Sequence, residues 1–426
     1  PMFLFIVLVL FLQALGFSRT LAYAGAVLFS LLELYNLNRP VHQRGSFLLL
    51  LVCLWALIEG VEGRVLLGVL GGALMGWLVG VYFWSFSAAW AFWLLLLLVS
   101  RAPPRLTRLL FFGCVGLLAV LPFLFESLRA SQHPLYRQAF IRSGIGFSHI
   151  PESWPWTVLF ALIVGGVLWM SWQRRLQGRE QYAAILIVTA FVLLNQQVVH
   201  GVLFLFASHY LFTLVLAAIV VLLLAWEKKT RPMVIAAGAA AIFLLGIATD
   251  SRSLIGQWRI DAEDFEEQHL SGSLEVLDAL PRTVVLADPL TSSFIASFTG
   301  HDVLFTHYIQ HELLSHSEIA KRYCLTQLPL APEDRKPETE LTLVYGPAYD
   351  GIRDPISRGV LRQAEFALVT ETCAAVDAHP RATLERYGVT HILWDEERFP
   401  HGDLGRLGVP LERIVSGQGW SLWRVR

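Results

Sequence analysis

Charged side chains are scarce in the first 248 residues of this chain. Asp, Glu, Lys and Arg make up 16% of its 426 residues, whereas they make up about 25% of an average soluble domain. The deficit is local, because charged residues become ordinary in frequency after Thr249. The net charge of −1 gives no basic face of the kind that nucleic-acid binding requires. Hydrophobic residues, 55% of the chain, instead indicate a membrane protein with a C-terminal soluble region.

Several catalytic signatures are also missing. The sequence contains no GxSxG nucleophile elbow, no P-loop, no dinucleotide-binding glycine pattern and no CxxC pair. The sequence therefore offers no motif on which a soluble hydrolase, nucleotidase or oxidoreductase could be assigned. A glycosyl transfer by single displacement stays open, since it needs only a carboxylate base and a cation or arginine for the leaving phosphate.

The chain also lacks a basic segment and cleavage site ahead of its first apolar run, so a signal peptide is not supported. Residue 1 is Pro and opens directly onto the apolar run 2–17, from which we expect that the natural N-terminus is missing.

Cysteine is rare, with four residues in the chain. Cys53 and Cys114 lie in apolar segments and are predicted to be buried thiols. Cys324 and Cys373 fall in the C-terminal region, where an oxidising compartment would allow a disulfide. Their spacing in the sequence does not give the distance between the two cysteines in the fold. The disulfide and the two free thiols therefore both remain open.

Long apolar runs define the architecture. A membrane-spanning helix needs about 20 mostly apolar residues, and about ten segments approach that length. They are 2–17, 19–36, 46–60, 64–80, 87–100, 107–125, 154–172, 182–199, 207–226 and 232–248. We predict an α-helical polytopic membrane bundle over residues 1–248, followed by a C-terminal extracytoplasmic α/β domain over residues 249–426.

Basic residues mark three short connections between these segments. They are Arg101, Arg105 and Arg108; Arg174, Arg175 and Arg179; and Lys228, Lys229 and Arg231. Counting segments places all three connections on one side, which the positive-inside rule makes cytoplasmic. The C-terminal domain then lies outside. Strict alternation also places Arg39 and Arg44 outside, so one segment within 46–80 is expected not to cross fully.

A glycine ridge runs along segment 64–80. Its members are Gly68, Gly72, Gly76 and Gly80. Their spacing of four places them on one helix face, which predicts close packing against a neighbouring helix. The aromatic band 82–93 that follows is typical of a membrane interface, and a wall for a lipid tail or a sugar is the alternative.

The tip between segments 182–199 and 207–226 is polar. Its hydrogen-bonding side chains are Asn195, Gln196, Gln197, His200, His209 and Tyr210. Such groups are costly in hydrocarbon unless they are partnered or hydrated, so we predict that they gather at the outer membrane face.

The loop 126–153 is the longest connection, and it is basic on the side where basic residues are not favoured. It contains Arg129, His133, Tyr136, Arg137, Arg142 and His149. Arginine suits bidentate phosphate binding, so a lipid headgroup or pyrophosphate would account for the exception. A solvated amphipathic connector is the alternative.

Strand and helix patterns alternate after Ser271, which predicts a small sheet with helices on its faces. The predicted strands are 284–287, 303–306, 341–345 and 390–394, and the predicted helices are 288–298, 318–325 and 382–387. A terminal hairpin covers 416–425, and the polar stretch 330–340 is predicted to be a surface loop.

Four histidines lie close together at His301, His307, His311 and His316. His307 and His311 are four apart and would share a helix face, with Glu312 following. No acid lies between the pair, so this is not HExxH. A zinc site is one interpretation, and a polar surface helix near the membrane is the other.

Weak motifs accompany this layout. They are the glycine-rich helix running into 80–85, the outer loop ending in Arg142-Ser143-Gly144, residues 193–201 with Ser208-His209-Tyr210, PRTVVLADP (281–289) and YGVTHILWD (387–395). Together they resemble the polytopic GT-C type glycosyltransferases of bacteria, a set around the protein O-mannosyltransferases and lipid-A aminoarabinose transferases. The chain looks most like an uncharacterised branch in which the bundle ends in an extracytoplasmic α/β domain.

The resemblance implies transfer of a sugar from a polyprenyl-phosphate donor at the outer face of the bacterial inner membrane, often with a divalent cation. In that family the catalytic acid lies in the first external loop. This chain has no Asp or Glu before Glu33, so we expect that acid upstream of Pro1 and assign no catalytic residue.

From the residues themselves we predict that the chain binds membrane lipid and no nucleic acid, and the resemblance implies that its ligand is a lipid-linked sugar donor. The predicted substrate-binding residues are Glu126, Arg137, Arg142, His200, His209 and Tyr210, and none is assigned to a metal. The alternative is a non-catalytic membrane scaffold, or a carrier of envelope polymer, whose outer domain binds a partner.

Overall fold

The computed structural model describes residues 2–32, 43–151, 153–173, 175–176, 178–204, 210–256, 268–350, 352 and 354–426. The helices are α1 Met2–Ala14, α2 Arg19–Leu32, α3 Gln43–Val61, α4 Val65–Trp77, α5 Phe83–Val99, α6 Pro103–Ser131, α7 Tyr136–Arg142, α8 Trp154–Trp172, α9 Glu180–His200, α10 Leu211–Lys228, α11 Arg231–Gly256, α12 Ser271–Asp278, α13 Pro289–Phe298, α14 His316–Gln327, α15 Pro337–Glu340, α16 Thr342–Asp350, α17 Pro355–Ala378 and α18 Pro380–Arg386. The strands are β1 Ile145–Phe147, β2 Val202–Phe204, β3 Val284–Leu286, β4 Asp302–Val303, β5 Val389–Asp395, β6 Leu411–Gly417 and β7 Trp420–Val425.

The chain forms two compact units. The bundle unit comprises Pro1–Ala130, Ser148–Val202 and Phe206–Trp258. The sheet unit comprises Ser131–Phe147, Leu203–Leu205 and Arg259–Arg426. The sheet unit therefore contains two short pieces of chain from within the predicted bundle region, in addition to the C-terminal region.

The bundle unit consists of apolar helices around one hydrophobic core. Among the described residues, five helices of this unit, α6, α8, α9, α10 and α11, are long and apolar enough to cross a membrane, and α1 to α5 are shorter apolar helices. Helix α10 lies at the centre of the bundle unit. Of the 18 residues in its most apolar stretch, 67% are buried, whereas only 22% of the corresponding residues of α6 are buried. The outward face of α6 is apolar and suits contact with lipid, as Leu117, Leu118 and Phe125 are all more than half exposed. The exposed Cys114 lies on this helix, so its predicted burial is wrong, while Cys53 is buried as predicted.

The glycine ridge packs closely against a neighbouring helix, as predicted, and that helix is α6. A Cβ at Gly72 would lie 2.4 Å from the carbonyl oxygen of Phe112, and one at Gly76 would lie 2.2 Å from the carbonyl oxygen of Gly116. A Cβ at Gly68 would overlap the Phe112 ring. Only glycine permits this approach of α4 and α6, because any larger residue would meet backbone or ring atoms.

The sheet unit contains a five-stranded sheet in the order β4-β3-β5-β7-β6. Strand β3 pairs in parallel with both β4 and β5, and β7 pairs antiparallel with β5 and β6. The predicted strands at 284–287 and 390–394, the helix after Asp288 and the terminal hairpin are confirmed. Asp288 begins α13 because its Oδ1 accepts hydrogen bonds from the backbone N–H groups of Leu290 and Thr291.

One predicted strand of this unit is wrong, and another is shorter than predicted. Residues 342–345 lie in helix α16 and Leu341 is the turn residue before it, because Leu341, Val344 and Tyr345 are buried at helical spacing while Leu343 is 57% exposed. The strand expected at 303–306 ends at Val303, because the Thr306 side chain accepts a hydrogen bond from the Tyr308 N–H and starts a 3₁₀ turn. The predicted loop 330–340 contains a 3₁₀ turn and the short helix α15.

Helix α17 has no counterpart among the sequence predictions. Its buried positions are Glu365, Val369, Thr372 and Val376, spaced three or four apart. Two of these are polar, so the apolar stripe that identifies an amphipathic helix is weak. Cys373 on α17 forms a disulfide with Cys324 on α14, which settles the pairing that the spacing left open.

Candidate functional site

The polar tip of the bundle unit is held by hydrogen bonds between its own helices. Tyr210 is only 1% exposed, and its hydroxyl shares a 2.7 Å hydrogen bond with Ser87 Oγ and accepts one from Gln196 Nε2. The Thr157 hydroxyl donates to Asn195 Oδ1 at 2.8 Å. These bonds satisfy groups that would be costly in an apolar bundle. Tyr210, a predicted substrate-binding residue, therefore lies inside the helix packing.

His200 stands at the exposed end of α9. Its Nδ1 accepts a hydrogen bond from the Val202 N–H, which leaves the rest of the ring on the surface. His149 lies nearby, with its Nδ1 3.2 Å from the Val198 carbonyl oxygen. Gly201, with φ of 76°, packs against the His149 ring, where a Cβ would lie 2.7 Å from Nε2. The end of α9 thus presents two imidazoles, while His209 lies outside the described residues.

The opposite end of α9 carries a network of ion pairs. The pairs are Arg179–Glu59 at 2.7 Å, Arg64–Glu59 at 3.3 Å, Arg105–Glu62 at 3.0 Å and Lys228–Glu180 at 2.6 Å, and Tyr182 donates to Glu62. These contacts bring the three predicted basic connections to one end of the bundle unit. Helix α9 has 21 residues, so roughly 30 Å separates this end from His200.

Glu59 is the centre of that network, and sequence reasoning did not identify it. It is 5% exposed and pairs with arginines from two connections. The hydrogen bond to Glu59 raises the pKa of Arg179, which favours its charged form. The signal was present, because an acid at the end of an apolar segment needs a partner.

Arg142 is fully buried within the sheet unit rather than exposed in a loop. Its Nη2 donates to the carbonyl oxygens of Glu312 and Leu314, both at 2.9 Å. Burial lowers the pKa of Arg142, while the nearby Tyr345 phenol and Glu365 carboxylate oppose that effect. Arg142 therefore joins α7 to the turn before α14, and it presents no free face to a membrane-bound phosphate.

The surroundings of Arg142 are polar. Glu365 Oε1 lies 2.5 Å from His316 Nδ1, and the Tyr345 hydroxyl donates to the His316 carbonyl oxygen at 3.3 Å. Across the described residues, no hydrogen bond reaches the buried Arg142 Nε and Nη1, Glu365 Oε2 or His316 Nε2. The positive charge of Arg142 offsets the charge of the Glu365 carboxylate, because burying that carboxylate alone would be costly.

Glu126 and Arg137, like His200, are predicted site residues that lie on the surface. Glu126 lies near the end of α6 in the bundle unit, where every residue from Leu124 to Arg129 is exposed. Arg137 lies on α7 in the sheet unit, and within the described ranges it has no ion-pair partner. Both remain available to a ligand, each on its own unit.

The histidine group does not converge on a metal. His307 Nε2 lies 3.0 Å from Glu340 Oε2, whereas His311 Nδ1 lies 3.0 Å from Ser143 Oγ. His301 and His316 have separate partners. In the part of the chain that is described, no three His, Cys, Asp or Glu side chains are placed to hold a metal ion. Those residues fit neither the zinc interpretation nor the divalent cation that the family resemblance implies.

Comparison with known proteins gives no relative from which a role could be transferred. No family model, no curated protein and no solved structure matches the chain. Function must therefore be inferred from the geometry of the two units.

Proposed function

We propose that the chain is a polytopic membrane protein of the GT-C type that binds a polyprenyl-phosphate-linked sugar at the outer face of the bacterial inner membrane. The observation that carries the proposal is the polarity of the bundle unit. One end collects arginine, lysine and glutamate, and the other collects amides, imidazoles and a tyrosine. Basic residues favour the cytoplasmic end, so the amide and imidazole end faces outward.

The disulfide supports an outer location for the sheet unit. Disulfides persist in oxidising compartments and are rare in the cytosol, where thiols are kept reduced. Cys324 is fully buried and bonded to Cys373, so the pair joins two helices within the core of the unit. A cytosolic sheet unit would place this bond in the wrong environment.

Cysteine labelling tests this orientation. In a Cys114→Ser background, Gln363→Cys on α17 and Gln173→Cys at the end of α8 provide a matched pair, since both glutamines are exposed. We expect a membrane-impermeant maleimide to label Gln363→Cys in intact spheroplasts and Gln173→Cys only after permeabilisation. The reverse pattern would contradict the proposed orientation.

Binding of lipid-linked sugar is best tested through the exposed candidates. Arg137→Ala and His200→Ala are expected to weaken binding of undecaprenyl-phosphate-mannose in nanodiscs by about tenfold each, because each removes a charged or polar group that can contact phosphate or sugar. Arg381→Ala is the matched control, since Arg381 is 64% exposed and pairs with Glu385. Affinity can be measured by microscale thermophoresis, with undecaprenol as the phosphate-free comparison.

The scaffold hypothesis predicts a different result. It expects equal affinity in the parent chain, in both candidate variants and in Arg381→Ala, or no affinity at all. The hydrogen bonds within the polar tip favour this reading for Tyr210 and Asn195, because internal partners already account for both residues. Loss confined to Arg137→Ala or His200→Ala would support the lipid-linked sugar instead.

A further inference from the structure

A small cleft lies at one edge of the sheet in the sheet unit. Asp288 follows β3 and Arg398 follows β5, and these strands are parallel, so both residues stand at the carboxyl edge. Its lining includes Asp288, Gln327, Lys336, Glu340, Arg398 and Phe399. The cavity volume of about 150 Å³ is smaller than the roughly 300–1,000 Å³ of drug-sized sites, so the ligand must be small.

The topology marks this edge independently of the lining residues. In the strand order, the connection from β3 leads to β4 at one end of the sheet. The connection from β5 leads towards β6 and β7 at the other end. Adjacent parallel strands whose connections leave in opposite directions form a crevice between their carboxyl ends. In open α/β sheets, ligands bind in such crevices.

Asp288 has an oxygen that the fold does not use. Its Oδ1 caps α13, and Arg398 Nη1 approaches the same oxygen at 3.5 Å. Its Oδ2 is buried and accepts no hydrogen bond from any residue that the structure describes. Burial raises the pKa of the Asp288 carboxyl. Hydrogen bonds from Thr291 and the positive charge of Arg398 act in the opposite direction and lower this pKa. Because an unmet acceptor in a buried site is costly, a ligand donor at Oδ2 would be favourable.

The other charges of the cleft are mixed in sign. Glu340 accepts a hydrogen bond from His307, which holds the pKa of its carboxyl below the usual range and keeps it ionised. Asp334 adds a third carboxylate, and Lys336 and Arg398 supply two cations. Three carboxylates disfavour an anion such as phosphate, and no three of the described side chains are placed to hold a metal ion.

A neutral polyhydroxyl ligand matches this lining. Each hydroxyl both donates and accepts hydrogen bonds, so carboxylates and cations placed side by side can satisfy it. Leu330 and Phe399 offer apolar contact for the C–H face of a ring. We propose that this cleft binds one monosaccharide unit, with Asp288 and Glu340 accepting from its hydroxyls and with Lys336 and Arg398 donating to them.

This site goes beyond the lipid-linked sugar proposal and does not depend on it, because it lies wholly within the sheet unit. Sequence reasoning singled out PRTVVLADP and YGVTHILWD without assigning a site to either. The signal was a polar residue shortly after each buried strand, Asp288 within the first motif and Arg398 just beyond the second, at the edge where the carboxyl ends of parallel strands meet.

Free monosaccharides and the full chain in glycolipid-free nanodiscs test the proposal. Saturation-transfer difference NMR with glucose, mannose, galactose and N-acetylglucosamine should show binding of at least one sugar, and calorimetry should give its affinity. Asp288→Asn is the sharpest variant, because the capping role fixes its oxygen at the Oδ1 position and puts NH₂ in place of Oδ2. We expect about tenfold weaker binding in Asp288→Asn and in Glu340→Gln.

Glu275→Gln is the control, since Glu275 is exposed and lines a different groove between α12 and α13. The proposal is overturned if none of the four sugars binds, or if Asp288→Asn and Glu340→Gln both bind as tightly as Glu275→Gln. Binding of inorganic phosphate in competition with the sugar would also overturn it. Glu340→Gln leaves the α13 cap intact, so it keeps the test valid if Asp288→Asn folds poorly.

Discussion

Arg142→Met is expected to lower the free energy of unfolding of the sheet unit by roughly 2–6 kcal/mol, because it leaves two part-buried carbonyl oxygens without a donor at about 1–3 kcal/mol each. The guanidinium is fully buried and bonds two carbonyl oxygens, those of Glu312 and Leu314. Methionine fills the volume but leaves both carbonyls unmet, and it removes the positive charge near Glu365. Pulse proteolysis in urea, read on the C-terminal fragment, measures the change.

Arg137→Met is the matched control, because Arg137 lies on the same short helix but is exposed. We expect it to change stability by less than about 0.5 kcal/mol. The structural role of Arg142 would be refuted by an Arg142→Met protein that unfolds like the parent. If that protein had nevertheless lost affinity for undecaprenyl-phosphate-mannose, Arg142 would be a ligand residue after all.

Gly72→Leu is expected to separate α4 from α6 and to prevent the bundle unit from folding properly. The Cβ alone would lie 2.4 Å from a backbone carbonyl oxygen of Phe112, and backbone cannot move aside as a side-chain tip can. Overpacking of this kind costs about 3 kcal/mol or more. Fluorescence-detected size exclusion should show loss of the monodisperse peak.

Gly165→Leu on α8 is the control for helix propensity and added bulk. A Cβ at Gly165 would meet nothing within 4 Å, so this variant should keep the parent elution profile and melting temperature. A monodisperse Gly72→Leu protein with an unchanged melting temperature would show that the close approach of α4 and α6 is not required.

Local sequence patterns determined much of the bundle unit. Apolar runs placed its helices because hydrophobic length and periodicity are properties of neighbouring residues. The glycine spacing of four likewise predicted the face that packs against α6, and turn signals around Asp288 and Gly388 located two strands of the sheet. The strand predicted at 341–345 was wrong because the apolar residues of this stretch fit both the strand period and the helix period.

The roles of individual polar residues were decided only by the tertiary structure. Arg142 reads as a phosphate ligand in a basic loop, yet its partner Leu314 is 172 positions away in the chain. Tyr210 reads as part of an exposed tip, yet Ser87, 123 positions away, shares its hydroxyl bond inside the bundle. A polar side chain at a chain turn is equally consistent with a ligand site and with a buried tether. Only the position of its distant partner, set by packing of the whole unit, distinguishes the two.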